Sequence, residues 1–205
     1  MKKIILFTFT FYSFVTYSQD FNKGDKLFGG SFSANFNNVS NGGPTYNTYG
    51  NAGIFPSFSW IVKKNLAFGI RGNIGYSRTW VKYDNGDKKV TKYLNLGPGV
   101  FFRKYKFIND KIGVYFDHEI SGSYILNKEK MTNTATLMYK NYGLGYRFTP
   151  GLFYKISDRF MAEGNIGGAY LSYYGGGGFH NIGTGASFLQ YFNFGFNYLL
   201  NKTKS

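Results

Sequence analysis

The sequence contains no cysteine and only two histidines, His118 and His180, among its 205 residues. Disulfides, thiolate nucleophiles and cysteine-ligated metals are therefore excluded. Asp117 and Glu119 flank His118, but neighbours on a strand point to opposite faces and do not form a ready-made acid–base group. His180 lies in a glycine-rich stretch without the following helix that a phosphate-binding loop requires. The sequence predicts a protein that is not an enzyme, with no cofactor and no metal site.

Acidic residues are also scarce, with 10 Asp and Glu against 24 Lys and Arg and a formal net charge of +14. The positive residues are scattered over turns and strand ends instead of forming one stripe, so nucleic acid is not a predicted partner. Lysines and arginines at the rims of a membrane protein meet anionic lipid headgroups. We expect the excess positive charge to serve that contact.

The chain has no run of 18 apolar residues, so it offers no transmembrane helix. Its first residues, "MKKIILFTFTFYSFVTYSQD", have two lysines followed by an apolar stretch at Ile4–Val15. Small residues, Thr16 and Ser18, stand at positions −3 and −1 of a cleavage site before Gln19. This pattern predicts a cleaved secretory signal peptide; a short N-terminal anchor is the alternative.

Aromatic residues and glycine are abundant, with 23 Phe, 19 Tyr and 28 Gly. In "YFNFGFNYLL", Tyr191 to Leu200, aromatic residues alternate with Asn and Gly, which in a strand gives one aromatic and one small polar face. Reading the chain for this period of two gives eight predicted strands: Leu27–Asn37, Gly50–Ile61, Leu66–Trp80, Val90–Phe102, Lys111–Leu126, Leu137–Tyr154, Arg159–Tyr173 and Ala186–Leu200.

The connectors between these strands alternate in character. Three are tight and charged ("VKKN", "KYKFIND" and "KISD"), and four are longer and polar ("NVSNGGPTYNTY", "VKYDNGDKK", "NKEKMTNTAT" and "YGGGGFHNIGTG"). Short turns at one end and long loops at the other are typical of transmembrane barrels. The sequence predicts an all-β fold: an eight-stranded antiparallel up-and-down barrel. The predicted segments are the signal peptide (1–18), a short N-terminal segment (19–26), the barrel (27–200) and a polar tail (201–205).

One face of the predicted strands is bulky and apolar, and the other carries Gly, Ser, Asn and a few charges. An eight-stranded barrel has an interior only wide enough for side chains, so we expect the bulky face outside, against lipid. The expected lipid-facing row of the last strand is Phe192, Phe194, Phe196 and Tyr198. Strand seven likewise places Phe160, Ala162, Ile166 and Tyr170 outside. A soluble lipocalin-like barrel is the alternative, with the aromatic face inside.

The charges on the small-residue face have both signs. An unpaired buried charge costs several kcal/mol, so we expect these residues to pair inside the barrel. The predicted lumenal network is Arg71, Asp117, Glu119, Arg147 and Glu163. Three prolines, Pro56, Pro98 and Pro150, recur four to six residues before the tight turns. Proline inside a strand is typical of an edge or a bulge, so they indicate a repeated irregularity in strands two, four and six, unless their spacing is chance.

The signal peptide, the eight amphipathic strands, the alternating connectors and "TPGLFYKISDRFMAEGNIGG" together resemble the small outer-membrane β-barrel family of the OmpA/OmpX type, with its porin-like relatives. The resemblance implies a protein of the Gram-negative outer membrane, with periplasmic short turns and termini and extracellular loops. It implies contact with outer-membrane lipid and lipopolysaccharide and with the barrel-insertion machinery, although "LLNKTKS" follows the last aromatic residue of the closing strand.

The expected role is structural, adhesive or surface-interacting, through a ligand or protein partner of the loops. A water-filled pore is disfavoured because such channels need about 16 strands. A lipid A-modifying or other barrel enzyme remains the alternative.

Overall fold

The computed structural model describes residues 21–40, 46–83, 86–132, 134–176 and 179–201, with the backbone alone at 38–40, 46, 179 and 188–192. The predicted signal peptide and the last four residues of the polar tail lie outside the described residues. The strands are β1 (Lys26–Ser40), β2 (Tyr46–Lys63), β3 (Leu66–Lys82), β4 (Lys88–Phe107), β5 (Ile112–Met131), β6 (Leu137–Lys155), β7 (Phe160–Gly176) and β8 (Phe179–Asn201). Across these ranges no helix is long and apolar enough to cross a membrane.

Each strand pairs antiparallel with its neighbours in sequence, and β1 pairs with β8 to close the barrel. The predicted eight-stranded up-and-down barrel is confirmed. The strands have 15 to 23 residues, whereas a tilted strand crosses a bilayer with about 9–11 residues. The barrel wall therefore extends beyond the thickness of a membrane.

The two ends of the barrel differ. The turn end carries the first and last described residues, Phe21 and Asn201, and the connectors 64–65, 108–111 and 156–159. At the opposite end, here the loop end, the strands are linked in sequence by 41–45, 83–87, 132–136 and 177–178. Strand extends into all four segments expected as long loops, and it covers most of the first and the last of them. The paired residues have their backbone groups satisfied in the wall.

Each of the three prolines interrupts pairing with the following strand. Around Pro56 the β2–β3 pairing skips from Ile54 to Ser57, and around Pro98 the β4–β5 pairing skips from Leu96 to Gly99, in both cases without a change of register. Because proline has no N–H, one ladder hydrogen bond is lost there.

At Pro150 the β6–β7 pairing also changes register, between Phe148 and Gly151. This shift places one extra residue in β7, near Gly167, whose φ is 106°. One extra residue reverses which side chains face the lumen in the remainder of a strand. Tyr170, expected outside, therefore lies opposite Arg147 on the lumenal face.

Closure between β1 and β8 is short. The pairs run from Lys26 with Asn201 to Phe32 with Phe194, and within the described residues the rest of β1, as far as Ser40, pairs with β2 only. The β7–β8 register also shifts. Gly167 pairs with Phe188 and Asn165 pairs with Asn193, so β8 contains extra residues between these two pairs. The β1–β8 contact is therefore confined to the turn-end half of the wall.

Candidate functional site: a lumen closed at one end

Five ionic side chains cross the middle of the lumen, and we call them the charge cluster. They are Arg71 on β3, Arg103 on β4, Asp117 and Glu119 on β5, and Glu163 on β7. Arg103 binds Asp117 through two hydrogen bonds, at 2.5 Å from Nε to Oδ1 and 2.8 Å from Nη2 to Oδ2. Its Nη1 donates to both oxygens of Glu163, at 2.7 and 2.6 Å.

Arg71 completes the charge cluster from the opposite side. Its Nη2 donates to Asp117 Oδ2 at 3.0 Å and its Nη1 donates to Glu119. Asp117 therefore bridges the two arginines, so the cluster is a continuous network and not a set of separate pairs. Four members, Arg103, Asp117, Glu119 and Glu163, are buried. Such satisfied contacts offset the large desolvation cost of buried ions.

Aromatic rings support both guanidinium groups. The Arg103 guanidinium carbon lies 4.0 Å from the centre of the Tyr115 ring, and that of Arg71 lies 4.4 Å from the Phe101 ring. These distances suit cation–π attraction, which is strongest where water is excluded. The rings fix the planes of the guanidinium groups, and the carboxylates then bind their edges.

The network differs from the predicted one in two members. Arg103 occupies its centre and was not among the predicted residues, although it keeps the lumenal alternation with Phe101 and Tyr105. Arg147 lies directly opposite Glu119 on β6, yet it has no hydrogen bond or ion pair with any residue that the structure describes. Glu119 is bound by Arg71 instead, and Arg147 points into the lumen above the charge cluster.

An apolar plug fills the lumen between the charge cluster and the turn end. Its members are buried: Phe21, Leu27, Ile61, Ala67, Tyr105, Tyr115, Phe153, Met161 and Leu199. The ring centres of Phe21 and Tyr105 are 4.8 Å apart in an edge-to-face arrangement, and those of Tyr105 and Phe153 are 5.5 Å apart. These geometries are the favourable ones for aromatic pairs.

The segment before β1 closes this end. The Phe21 N–H donates to Asn65 Oδ1 at 2.8 Å, and the Asn65 N–H donates to the Phe21 carbonyl at 3.1 Å. The Gly24 N–H donates to the Ile61 carbonyl, and the Ile61 N–H donates to the Asp25 carbonyl. The N-terminal segment is thus bound across the mouth of the barrel, a role that strand alternation does not indicate.

The lumen opens from the charge cluster toward the loop end, and we call this space the vestibule. Its deepest part is a cavity of about 630 Å³ bounded by β1, β2, β6, β7 and β8. The lining is mostly small and amide side chains: Ser33, Asn35, Asn37, Asn51, Thr149, Asn165, Ser187 and Asn193, with Arg147 and Tyr170. By contrast, only about 60 Å³ remains beside the charge cluster.

Three amide oxygens in the vestibule wall are buried without a hydrogen-bond partner in the described part of the chain. They are the Oδ1 atoms of Asn47, Asn95 and Asn127. Asn127 is 2% exposed and lies between Tyr93 and Tyr139 in the β4–β5–β6 register. A buried acceptor without a donor costs about 1–3 kcal/mol, so these oxygens favour hydrogen-bond donors inside the vestibule.

The outer surface of the barrel is apolar. Large side chains from every strand are exposed there, including Phe32, Ile54, Ile70, Phe102, Ile120, Leu144, Leu171 and Phe194. On the closing strand, Phe194 is 59% exposed, Phe196 45% and Tyr198 40%, while Gly195 and Asn197 are buried. The side chain of Phe192 lies outside the described residues. An apolar belt of this extent exceeds what monomeric soluble proteins expose.

A row of cations, here the basic row, lies on the same outer surface near the loop end. Arg78, Lys92 and Lys128 are directly opposite one another across β3, β4 and β5. Strand alternation places them outside, because Arg71, Arg103 and Asp117 on the same three strands face the lumen. Like charges directly opposite on neighbouring strands are destabilising, and anionic groups outside the protein would offset this repulsion.

The two histidines lie apart. His118 is exposed on the outer face, where its Nδ1 lies 2.7 Å from the hydroxyl of Tyr146. Near the loop end, Nδ1 of His180 lies 2.6 Å from the hydroxyl of Tyr173. The described residues contain no group of three or more His, Asp or Glu side chains arranged to hold a metal ion.

No protein-family model matches the sequence, and no curated protein matches it. Among solved structures, the chain is similar to neisserial surface protein A, with 13% identity, a TM-score of 0.39, and coverage of 88% of this chain and 99% of that chain. It is similar to the Yersinia pestis outer membrane protein Ail, with 13% identity, a TM-score of 0.30 and coverage of 87% and 100%.

A third similar structure is the transport unit of the autotransporter AIDA-I from Escherichia coli, with 11% identity, a TM-score of 0.41 and coverage of 95% and 96%. In this chain, the closed antiparallel ring, the apolar outer surface and the ionic lumen occur together. The chain has the fold of a small eight-stranded up-and-down β-barrel with an apolar outer surface.

Proposed function

We propose that the protein is a non-conducting barrel of the Gram-negative outer membrane that presents its loop end and vestibule to the cell exterior as an interaction surface. The turn end, with both termini, faces the periplasm in this proposal. The observation that carries it is the asymmetry of the lumen. One half is filled by the apolar plug and the charge cluster, and the other half is open.

The filled half argues against a transport role. Phe21 and the rings of Tyr105 and Phe153 occupy the space that a solute would have to cross. Above them, Arg103 holds carboxylates of two different strands, Asp117 and Glu163. Opening a path would separate buried ion pairs, which costs about 3–5 kcal/mol for each partner removed. These contacts support a lumen that is closed in the stable state of the barrel.

The outer surface supports anionic lipid as a partner, with the phosphates of lipopolysaccharide as the source. The basic row stands above an apolar belt that includes Tyr76 and Leu96. Trp80 lies beside the row, and the Arg78 guanidinium carbon is 4.4 Å from the centre of its ring. Aromatic residues next to cations are typical of the membrane interface. In the proposed orientation the basic row meets the headgroups of the outer leaflet.

A soluble lipocalin-like barrel would have its aromatic residues inside. In this barrel Phe28, Phe32 and Phe36 of β1 are all more than half exposed on the outer surface, which argues against that alternative. We propose no enzymatic activity. The hydrogen bonds described for His118 and His180 are to tyrosine hydroxyls and lie outside the vestibule, so neither is placed as a base beside a nucleophile.

Single-channel recording in planar bilayers tests the closed lumen. The purified full chain should show no steady conductance, because the apolar plug and the charge cluster together fill one half of the lumen. A stable open level in the unmodified protein would contradict the proposal. Protease treatment of intact cells tests the orientation: cleavage near residues 132–136 with protection of 108–111 is expected, and the reverse pattern would show that the barrel is inverted.

A further inference from the structure

We propose that the vestibule is a binding site for an acidic sugar, whose carboxylate is held by Arg147 and whose hydroxyl groups are held by the surrounding asparagines. This inference rests on the proposed function, since it names the ligand class of the same open end. The cavity of about 630 Å³ has the size of ordinary small-molecule sites. It is closed below by the charge cluster, so a ligand enters from the loop end or past the edge where β1 and β8 pair only as far as Phe32 and Phe194.

Arg147 is the anchor of this site. It is exposed to the cavity, and its five N–H donors have no partner among the residues that the structure describes. A planar guanidinium binds a carboxylate through two parallel hydrogen bonds, which fixes the orientation of the ligand as well as its charge. Arg147 therefore favours an anionic group that can accept two hydrogen bonds side by side, as a carboxylate does.

The charge balance permits an anion at this depth. The charge cluster has two arginines and three carboxylates and carries one net negative charge. Arg147 stands directly opposite Glu119 and lines the cavity above the charge cluster, so an approaching carboxylate meets a guanidinium before it meets the acids below.

Tyr170 supplies a ring beside the anchor. It is the direct cross-strand neighbour of Arg147 and is 49% exposed. The ring lies against Gly185, where an added Cβ would come within 2.8 Å of it, so the glycine leaves room for the ring. An exposed tyrosine face next to hydrogen-bonding groups suits the mixed apolar and polar surface of a sugar.

The amide lining selects hydroxyl groups over an acyl chain. Asn35, Asn51, Asn165 and Asn193 line the same cavity, and amide groups both donate and accept hydrogen bonds. Farther toward the loop end, the buried Oδ1 of Asn127, which has no partner among the described residues, can accept from such a hydroxyl group. A fatty acid supplies one anionic group and no donors, whereas a sugar acid supplies a carboxylate and several O–H donors.

Calorimetric titration of the full chain in lipid nanodiscs tests the proposal, with digalacturonic acid and its neutral dimethyl ester as probes. Saturable binding of the acid is expected, with at least ten-fold weaker binding of the ester. Arg147→Met should abolish this preference, Arg147→Lys should retain part of it, and Tyr170→Ala should weaken both probes. Arg159→Met, at the turn end, is the matched control and should bind as the unmodified protein does.

Equal affinity for acid and ester, an unchanged preference in Arg147→Met, or no saturable binding of either probe would overturn the proposal. Heat-modifiable electrophoresis of each variant checks that the barrel is folded. A folded, non-conducting barrel that binds neither probe overturns the sugar site alone. A conducting barrel overturns the closed-lumen proposal whether or not the sugar acid binds.

Discussion

Arg103 and Asp117 face each other across β4 and β5 and form a two-point ion pair in the centre of the barrel, with N–O distances of 2.5 and 2.8 Å. Asp117 also accepts from Arg71, and Arg103 also donates to Glu163. One pair therefore ties together four strands, β3, β4, β5 and β7, that are not all neighbours in the wall. The barrel is braced across its lumen as well as around its circumference.

Removing one partner of this pair should destabilise the barrel strongly. In Arg103→Met, Asp117 and Glu163 remain buried with fewer positive partners, and we expect a loss of about 3–5 kcal/mol in the free energy of unfolding. Urea unfolding in detergent micelles, followed by tryptophan fluorescence, measures it. Glu129→Gln is the control, because the Lys89–Glu129 pair is partly exposed and should contribute about 0–1 kcal/mol. Equal losses in the two variants would contradict the cluster's structural role.

A charge on the outer face of the closing strand should be costly at mid-membrane. Phe194 is well exposed on the apolar surface, and Phe194→Arg is expected to lower the free energy of unfolding in lipid bilayers by about 2–4 kcal/mol. Leu200→Arg lies near the turn end of the same strand and face and should cost about 0–1 kcal/mol. If both variants unfold at the same urea concentration as the unmodified protein, this face is not in contact with lipid.

The tight packing of the turn-end half predicts different outcomes for two glycines of β3. A Cβ at Gly69 would lie 2.6 Å from the Phe58 carbonyl oxygen and from the Phe101 ring, whereas a Cβ at Gly75 would meet no atom closer than 3.7 Å. Gly69→Ala should cost about 1–3 kcal/mol through overpacking, and Gly75→Ala should be nearly neutral. Thermal unfolding of the two variants, compared by circular dichroism, gives the test. A more stable Gly69→Ala would show that the wall can shift there freely.

Neutralising the basic row should weaken binding to anionic membranes. Lys92→Gln and Lys128→Gln each remove a cation near the headgroups, worth about 1 kcal/mol of attraction. The affinity of the micellar protein for vesicles containing anionic lipid should therefore fall about five-fold per substitution, and the difference should shrink at high salt. Lys104→Gln, at the turn end of β4, is the control. An effect as large in the control would mean that net charge matters and the position of the row does not.

The alternation of apolar and polar residues in the sequence was enough to predict, for most of the barrel wall, which side chains face outside and which face the lumen. Phe194, Phe196 and Tyr198 lie outside and Asn197 inside because successive side chains of a strand point to opposite faces. The lumenal placement of Asp117 and Glu119 follows from the same rule. Arg103 shares parity with Phe101 and Tyr105, but the predicted fourth strand ended at Phe102, one residue too early to include it.

The positions that alternation misplaced have specific physical causes. Tyr170 faces the vestibule because a one-residue shift near Gly167 reverses the faces of the second half of β7. The strands extend into the stretches expected as long loops because the neighbouring strands offer partners of matching length there. Neither event has a local signal, since a bulge and an extended pairing both depend on the neighbouring strand.

The sequence by itself determined that the chain forms eight strands with an apolar and a polar face, and therefore a closed barrel, because unpaired strand edges are not tolerated in hydrocarbon. Only the tertiary structure decided which charges meet. Arg71 reaches Glu119 from two strands away and leaves the direct neighbour Arg147 free. Side chains that cross a lumen choose partners by distance in space, and strand tilt and register set that distance only after the ring has closed.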